Sequence, residues 1–294
     1  MCIRDRFAAA LSFNQPEHFV EMAKVADRVG WDIFAVSDHV VFPEKIESAY
    51  PYIEDGKPYW PLETAWPDPW VTIAAMAAVT ERLRFATNVF ILPARHPLLV
   101  AKSVGTAAVL SGNRVALGIG VGWMREEFEL LGEDFTTRGR RTNEAIEVLR
   151  TLWQGGMVEH HGKYYDFDRL TMQPVPTAPV PIWVGGASEA ALKRAARLGD
   201  GWISVVHDTD ELARLIGRLG ELRAEYGRAD EPFHVMAAVN DAGDLDAFRR
   251  LEEIGVTSLV SAPWVVYEGD PTSLDHKLDS IKRYADEIIG PMRG

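Results

Sequence analysis

Cysteine is almost absent from this sequence, because Cys2 is the only one among 294 residues. A single cysteine forms no intrachain disulfide and no metal cluster built on cysteine. Such a composition is typical of a reducing compartment, and we expect a cytoplasmic protein. No apolar run reaches the roughly 18 residues of a membrane span, and the N-terminus lacks the apolar core of a secretory signal. The sequence therefore predicts no association with a membrane.

Several catalytic signatures are missing as well. The sequence contains no HExxH, GxSxG or GxxxxGK[ST] motif, and its adjacent His160 and His161 would point apart on a regular element. We therefore predict no metal site. Cations are also scarce, since 31 Lys and Arg face 43 Asp and Glu, which gives a net charge of −12. This balance excludes nucleic acid as the main partner, although a local group of arginines can still bind a small anion.

What the sequence does contain is a repeat of short apolar runs and amphipathic stretches. Eight apolar runs have the length and composition of buried strands, at residues 7–13, 33–36, 83–92, 115–119, 181–184, 201–205, 233–239 and 258–260. Helical periodicity appears between them, at residues 16–29, 69–80, 97–110, 143–153, 189–198, 208–226, 244–254 and 273–289. Apolar strands that alternate with helices form parallel sheets covered on both faces. Eight such units predict an α/β protein with a single (β/α)8 TIM barrel.

One barrel domain over residues 7–290 accounts for all of these elements. Residues 1–6 do not fit the strand pattern after them, and we interpret them as a non-native or disordered leader. Two long connections, residues 40–68 and 155–181, are rich in proline and aromatic residues. In a barrel such insertions border the binding site, so we expect substrate loops rather than domain linkers.

Glycine-rich turns follow two of the predicted strands. Residues 118–122 contain three glycines, but Trp123 takes the place of the last glycine of a dinucleotide fingerprint. Gly185 and Gly186 lead into a helix that begins near Ser188. Both turns let backbone N–H groups approach an anion, and a helix N-terminus adds its dipole. Tight turns at a barrel rim are the alternative explanation for each motif.

Polar residues stand at two other predicted strands. Asp38 and His39 follow the run 33–36, at the end of a barrel strand where active-site residues concentrate. Histidine exchanges a proton near neutral pH and an adjacent aspartate can orient it, although a purely structural hydrogen bond is an equal alternative. Thr87 and Asn88 lie midway along the long run 83–92, whose length leaves room for a bulge.

Arginines cluster at Arg138, Arg140 and Arg141, the densest basic group in this acidic chain. The arginine fork matches phosphate and carboxylate groups, so this cluster is a candidate anion site. A solvated turn before a helix that starts at Asn143 is the alternative. A second candidate group consists of Arg95, His96 and Lys102.

In this order and spacing, the motifs resemble the luciferase-like monooxygenase superfamily, and within it the branch of oxidoreductases that use the deazaflavin coenzyme F420. The resemblance covers residues 7–289. Further segments that match the family are residues 30–32, 83–89, 92–93, 101–102, 110–114, 152–153, 181–186 and 199–202. It implies a (β/α)8 barrel that is usually a homodimer. The ring of the cofactor would lie across the carboxyl ends of the strands.

The resemblance also implies roles for individual residues. By it, His39 is the catalytic residue near the hydride-carrying carbon, and Asp38 borders the deazaflavin. A bulge at residues 87–89, often with a cis peptide bond, would support the ring, and the cluster around Arg138 would face the anionic tail of the cofactor. The implied cofactor-binding residues are Asp38, His39, Thr87, Asn88, Val89, Gly120, Val121, Gly122, Trp123, Arg138, Gly185, Gly186 and Ala187.

We therefore expect an oxidoreductase that moves a hydride between F420 and a small organic substrate, with Tyr52, Trp66 and Trp123 lining the substrate side. Sugar-phosphate dehydrogenases of this branch carry an acidic residue where Trp123 stands, which argues against their reaction here. An FMN-dependent two-component monooxygenase is the alternative, although Ser-Asp-His after the second strand favours F420. A non-catalytic barrel that binds a flavin or deazaflavin is the third hypothesis.

Overall fold

The computed structural model describes residues 7–293, and the predicted leader at residues 1–6 lies outside this part. Its strands are β1 (Phe7–Ala10), β2 (Ile33–Val36), β3 (Arg84–Thr87), β4 (Phe90–Ile91), β5 (Val115–Gly120), β6 (Val158–His161), β7 (Asp166–Leu170), β8 (Ile182–Gly185), β9 (Gly201–His207), β10 (His234–Val239) and β11 (Ser258–Ser261). All of these strands except β6 and β7 join one sheet.

The sheet closes into a barrel with eight parallel positions. β1 pairs with β2 on one side and with β11 on the other, and the ring continues through β3, β5, β8, β9 and β10. β3 and β4 share one position, because both pair with β5. The predicted (β/α)8 TIM barrel is therefore confirmed, and each of the eight apolar runs contributes one position.

The single strand predicted over residues 83–92 is wrong in one respect, because the chain divides there into β3 and β4. Ala86 lies opposite Ala116, and Phe90 lies opposite Ile119. Residues 87–89 therefore face only residues 117 and 118 of β5, which is the arrangement of a β-bulge. The Asn88–Val89 peptide bond within this bulge is cis, as the resemblance implies.

Helices cover the outside of the barrel. They are α1 (Phe19–Val29), α2 (Pro69–Ala77), α3 (Pro97–Leu110), α4 (Arg125–Leu130), α5 (Arg138–Trp153), α6 (Glu189–Leu198), α7 (Thr209–Glu225), α8 (Leu245–Glu253), α9 (Pro263–Val266), α10 (Leu274–Tyr284) and α11 (Gly290–Arg293). Since α5 begins at Arg138 rather than Asn143, the interpretation of the arginine cluster as a solvated turn is wrong. The sequence did not predict α4, because six residues are too few for a helical period to stand out.

The two predicted insertions fold differently. Residues 155–181 contain the antiparallel hairpin of β6 and β7, whereas residues 40–68 form turns without a helix or strand. Within residues 7–293, no helix combines the length and the apolar character that a bilayer crossing requires. In the same part of the chain, no three His, Cys, Asp or Glu side chains come together as a metal site requires.

Two aromatic rings stack inside the barrel near the amino ends of β8 and β10. Trp183 and Gly201 lie side by side in the sheet, as do Gly201 and His234. Because Gly201 has no side chain, the rings of Trp183 and His234 stack across it, with 4.1 Å between their centres and 6° between their planes. A Cβ atom at residue 201 would lie only 2.6 Å from the Trp183 ring. Glycine is therefore required between the two stacked rings.

Burial within this stack keeps the His234 imidazole neutral. The residue is 4% exposed, and burial, with a smaller contribution from Arg84, lowers the pKa of His234 from its ordinary 6.5 to about 3. Below pH 6.5 the unfolded chain takes up a proton that the folded chain does not. The free energy of unfolding therefore decreases as the pH is lowered below 6.5. The contribution of this group is up to about 1.4 kcal/mol for each pH unit.

We expect His234→Phe to remove part of the acid sensitivity of the fold. Between pH 6.5 and 5 the wild-type protein should lose about 1.6 kcal/mol more stability than the variant, because phenylalanine has no proton to gain. Urea unfolding of both proteins at each pH measures this difference, and equal m-values would show that both start from the same compact state. Identical pH slopes in the two proteins would contradict a neutral, buried His234.

Candidate active site

Polar side chains tie the carboxyl end of β2 to the bulge between β3 and β4. The Ser37 hydroxyl donates to the Asn88 carbonyl at 2.8 Å. The Asp38 carboxylate accepts from the Ile91 N–H at 2.9 Å, and from both terminal nitrogens of Arg95 at 2.7 Å each. These bonds attach β2 to the bulge and to the segment that follows it.

These partners already occupy the Asp38 carboxylate. Its side chain is only 1% exposed, and Arg95 neutralises its charge. Asp38 thus lies where a cofactor pocket is expected, and its direct contact with a cofactor stays a prediction. The second candidate anion group is wrong, because Arg95 pairs with Asp38, His96 caps α3, and Lys102 donates to the carbonyl of Gln173.

His39, the next residue, pairs with a second buried acid. Its Nδ1 lies 3.1 Å from Glu127 Oε2, and Glu127 Oε1 accepts the Val40 N–H at 2.6 Å. Glu127 is fully buried, and His39 is 9% exposed. An ionised carboxylate accepts from an Nδ1–H group, which leaves Nε2 as the nitrogen that exchanges protons. Among the described residues, no hydrogen bond to His39 Nε2 is found.

Glu127 is the site residue that the sequence analysis missed. It lies 88 positions from His39 in the sequence and belongs to α4, which was not predicted. The family resemblance implied an acidic residue only at position 123, which is Trp123 in this chain. One signal was present, because Glu126, Glu127 and Glu129 form an acidic run shortly after a glycine turn. The barrel brings this run beside the end of β2.

The glycines at the ends of β5 and β8 make room for the bulge. A Cβ atom at Gly120 or Gly185 would lie 2.6 or 2.7 Å from the Val89 side chain, and one at Gly118 would lie 1.9 Å from the Thr87 carbonyl oxygen. Val89 therefore packs against two strands that carry no side chain at these positions. This packing explains the three glycines, and cofactor contacts at Gly120 and Gly185 stay predictions.

The other predicted cofactor residues lie in the turns that follow these two strands. Val121 and Gly122 come directly after β5, and Gly186 and Ala187 come directly after β8. Gly186 has a φ of 108°, a conformation that favours glycine. Both turns lie at the same end of the barrel as His39, as the positions of the glycines after two strands predict.

Three arginines, Arg125, Arg138 and Arg194, form what we call the arginine corner beside the turn after β5. Arg138 Nε donates to the Gly122 carbonyl at 3.1 Å, and its guanidinium lies 3.7 Å from the centre of the Phe135 ring. Arg125 lies 4.8 Å from the centre of the same ring. Burial, followed by repulsion from Arg125, holds the pKa of Arg138 below its ordinary value.

Arg194 joins the corner from α6. Its Nε donates to Asn143 Oδ1 at 2.6 Å, and its Nη2 donates to the Gly139 carbonyl at 3.0 Å. Burial, with repulsion from Arg197 and Arg138, lowers the pKa of Arg194 to about 10. Within the described part of the chain, no carboxylate forms an ion pair with Arg138 or Arg194. The corner is therefore a concentration of unpaired positive charge.

This corner has the chemistry of a phosphate site. The turn of Gly185 and Gly186 leads into α6, which Ser188 caps, and the first N–H groups of a helix have no partner within it. Free N–H groups and guanidinium groups both favour an anion. The residues present therefore fit the phosphate of a deazaflavin or flavin cofactor. Arg141 does not contribute, because it pairs with Glu133.

Aromatic rings cover His39 on the side of the 40–68 insertion. The aromatic cluster consists of Phe13, Phe42, Tyr50, Tyr52, Tyr59, Trp60, Trp66 and Trp123. The ring centres of Trp66 and Trp123 lie 5.0 and 6.1 Å from that of His39. The three residues predicted to line the substrate side, Tyr52, Trp66 and Trp123, all belong to this cluster.

Comparison with known proteins agrees with this architecture. Residues 1–244 match the family described as luciferase-like monooxygenase. An uncharacterized protein of Mycobacterium tuberculosis is 39% identical over 286 residues, which cover 97% of this chain and 99% of that protein. An F420-dependent glucose-6-phosphate dehydrogenase of Nocardia farcinica is 30% identical over 253 residues, which cover 84% of this chain and 70% of that protein.

Two solved structures share the fold. An F420-dependent secondary alcohol dehydrogenase, in complex with an F420-acetone adduct, superposes with a TM-score of 0.75 at 18% identity, over 98% of both chains. The oxygenating constituent of 3,6-diketocamphane monooxygenase from Pseudomonas putida, in complex with FMN, superposes with a TM-score of 0.70 at 16% identity, over 97% of this chain and 98% of the other. The match of residues 1–244 and the close relatives show that the chain belongs to the luciferase-like monooxygenase family and is an oxidoreductase of that class.

Proposed function

We propose that this protein uses coenzyme F420 to transfer a hydride to or from a small organic substrate. The observation that carries the proposal is the buried pair of His39 and Glu127 at the carboxyl ends of the barrel strands. Relatives named as F420-dependent dehydrogenases support the choice of cofactor. A positioned proton donor beside a hydride carrier is what the reduction of a carbonyl group requires.

The residues of the chain donate or accept the proton that accompanies the hydride. When bound, F420 supplies the carrier for one hydride, and His39 supplies or accepts the accompanying proton at Nε2. In the reducing direction the carbonyl carbon gains the hydride and its oxygen gains the proton, which gives an alcohol. In the oxidising direction His39 takes the proton from the hydroxyl group as the hydride leaves the carbon. Glu127 holds the Nδ1–H tautomer that keeps Nε2 free for this exchange.

Different residues at the carboxyl ends of the barrel strands would hold the two ends of the cofactor. The bulge at residues 87–89 would support the ring, and the arginine corner with the start of α6 would hold the phosphate. Asp38 acts as a positioning residue, because it holds Ile91 and Arg95. FMN also carries a ring and a phosphate, so a direct binding comparison decides between the two cofactors.

We expect the purified protein to bind F420 at least about tenfold more tightly than FMN, a difference of about 1.4 kcal/mol. Arg138→Gln should weaken F420 binding by about 10- to 100-fold, because it removes a charged hydrogen-bond donor from the phosphate site. Titrations of both cofactors, followed by their fluorescence, measure these affinities. Arg214→Gln, on the exposed side of α7, is the matched control and should bind F420 like the wild type.

Two results of these titrations would count against the proposal. Tight FMN binding without a response to F420 would favour the monooxygenase hypothesis. An equal loss of affinity in the Arg138 and Arg214 variants would show that the arginine corner has no special part in binding.

We expect His39→Ala to keep F420 binding within about tenfold while kcat falls by about 10²- to 10⁴-fold, the usual contribution of a positioned acid or base. Glu127→Gln should lower kcat by about 10- to 100-fold, because an amide accepts the Val40 N–H but no longer selects one tautomer of His39. Steady-state oxidation of reduced F420 by a ketone, followed by the return of F420 fluorescence, measures kcat for both variants.

His161→Ala is the matched control for these variants. His161 also pairs with a carboxylate, Asp166 at 2.7 Å, but this pair lies exposed on the hairpin. Its loss should leave turnover unchanged. An unchanged kcat in His39→Ala would remove His39 from the mechanism.

We also propose that the protein is a homodimer that associates through α2 and α3. Both helices are largely apolar, apart from Thr72 on α2 and Lys102, Ser103 and Thr106 on α3, although they lie at the surface of the barrel. Helices of this composition are normally buried. Val71 is 71% exposed on α2, and Leu99 and Leu110 are 69% and 66% exposed on α3. A second copy that covers these side chains would remove this apolar surface from water.

Light scattering should therefore give about twice the chain mass of 32.8 kDa. The double substitution Val71→Asp and Leu99→Asp should give a monomer, because it places charges in the buried interface. Val265→Asp, at an equally exposed apolar position on α9, should leave the mass unchanged. A monomeric wild-type protein would contradict this proposal.

A further inference from the structure

The aromatic cluster forms a second chemical environment beside His39. Six of its eight rings come from residues 40–68, while Phe13 follows β1 and Trp123 follows β5. Trp66 is the nearest of these rings to His39, at 5.0 Å, and Trp60 lies 5.7 Å from Trp66. The insertion therefore brings its aromatic side chains over the proton-exchanging residue.

The charged residues of the same insertion lie outside this environment, on the surface. All eight of them are exposed, namely Glu44, Lys45, Glu47, Glu54, Asp55, Lys57, Glu63 and Asp68. Among the described residues, no arginine or lysine stacks on a ring of the cluster, and the cation–π pairs that do form use other rings. The cluster therefore provides no counter-charge for an anionic substrate.

The phenols of the cluster remain neutral as well. Burial raises the pKa of Tyr50, and repulsion from Tyr59 and Tyr52 raises it further. Burial also raises the pKa of Tyr52 and of Tyr59. These hydroxyl groups stay protonated at physiological pH, so the cluster as a whole carries no charge.

Two hydrogen-bond donors in the cluster have no acceptor. The indole Nε1 atoms of Trp60 and Trp66 are buried, and neither has a hydrogen-bond partner among the described residues. Buried indole N–H groups normally have a partner, and an unsatisfied one costs about 1–3 kcal/mol. Both indoles contact the ring of His39. The cluster beside His39 therefore contains two donors that a hydrogen-bond acceptor could satisfy.

The outer rings of the cluster reach the surface. Phe13 is 47% exposed and Tyr59 is 64% exposed, and their ring centres lie 5.5 Å apart. A group of exposed aromatic side chains that continues into the site is typical of a ligand-binding surface. The same rings thus extend from solvent to His39.

We propose that the aromatic cluster binds an uncharged, ring-bearing ketone or its alcohol, with the apolar ring among the aromatic side chains and the oxygen toward His39, Trp60 and Trp66. This inference rests on the proposed function, because the oxygen is the atom that exchanges a proton with His39. Anionic substrates such as sugar phosphates are excluded, since burial of an unpaired charge is strongly unfavourable. The cluster therefore selects substrates by neutrality and ring shape.

Binding of three compounds with one ring system to the cofactor-free protein tests this inference. α-Tetralone has the ring and a carbonyl group, tetralin has the ring alone, and tetralin carboxylate has the ring and a charge. We expect α-tetralone to quench tryptophan fluorescence and to bind about three- to tenfold more tightly than tetralin, the value of a neutral hydrogen bond. The carboxylate should bind about a hundredfold more weakly than the ketone, or not at all.

Substitutions test whether Trp60 and Trp66 cause the preference for the ketone. Trp60→Phe and Trp66→Phe together keep the aromatic surface but remove both indole donors, so they should reduce the preference for the ketone over tetralin. Trp153→Phe is the matched control, because the Trp153 indole already donates to the Ala101 carbonyl outside the cluster. Binding of the carboxylate as tightly as the ketone would overturn the inference, as would an unchanged ketone preference in the double variant.

The two proposals fail in different ways. Because these measurements need no cofactor, ketone selectivity in a protein that does not bind F420 would overturn the proposed function alone. F420 binding without ketone selectivity would overturn the substrate class alone.

Discussion

The ion pair between Asp38 and Arg95 is the interaction on which the site at the carboxyl ends of the barrel strands depends. Its two hydrogen bonds, together with the one from the Ile91 N–H, hold the end of β2 against the segment beyond the bulge. Loss of one partner from a buried pair leaves an uncompensated charge and costs about 3–5 kcal/mol. Because His39 is the next residue, the pair also determines where the imidazole meets Glu127.

The fold could be predicted further than the site. Strands of a parallel barrel are buried on both faces, so each appears in the sequence as a continuous apolar run, and β2 agrees with its prediction residue for residue. The length of the run 83–92 indicated a bulge, but only the pairing with β5 shows that one extra residue lies there. The acidic run around Glu127 was visible, but its contact with His39 could not be predicted, because this contact arises from the closure of the barrel and from a helix too short to have a period.

Charge is distributed so that the acidic chain still has a basic corner. Many arginines of the described part pair with a nearby carboxylate, as Arg141 does with Glu133 and Arg150 with Asp200. Arg138 and Arg194 instead donate to backbone carbonyls and to Asn143, and their positive charge stays uncompensated. Composition alone argued against nucleic acid as a partner, but only the position of each arginine distinguishes a structural cation from one that is free for a ligand.

The stacked rings of Trp183 and His234 belong to the side chains that fill the barrel interior near the amino ends of its strands. At the carboxyl ends of the strands the aromatic cluster lies over His39, and its outer rings, Phe13 and Tyr59, are exposed. Under the proposed function, a cofactor at the strand ends lies beneath the aromatic cluster, so a substrate held among these rings would cover it. The arrangement therefore implies a compulsory order of binding, in which the cofactor binds before the substrate and the product leaves before the cofactor is exchanged.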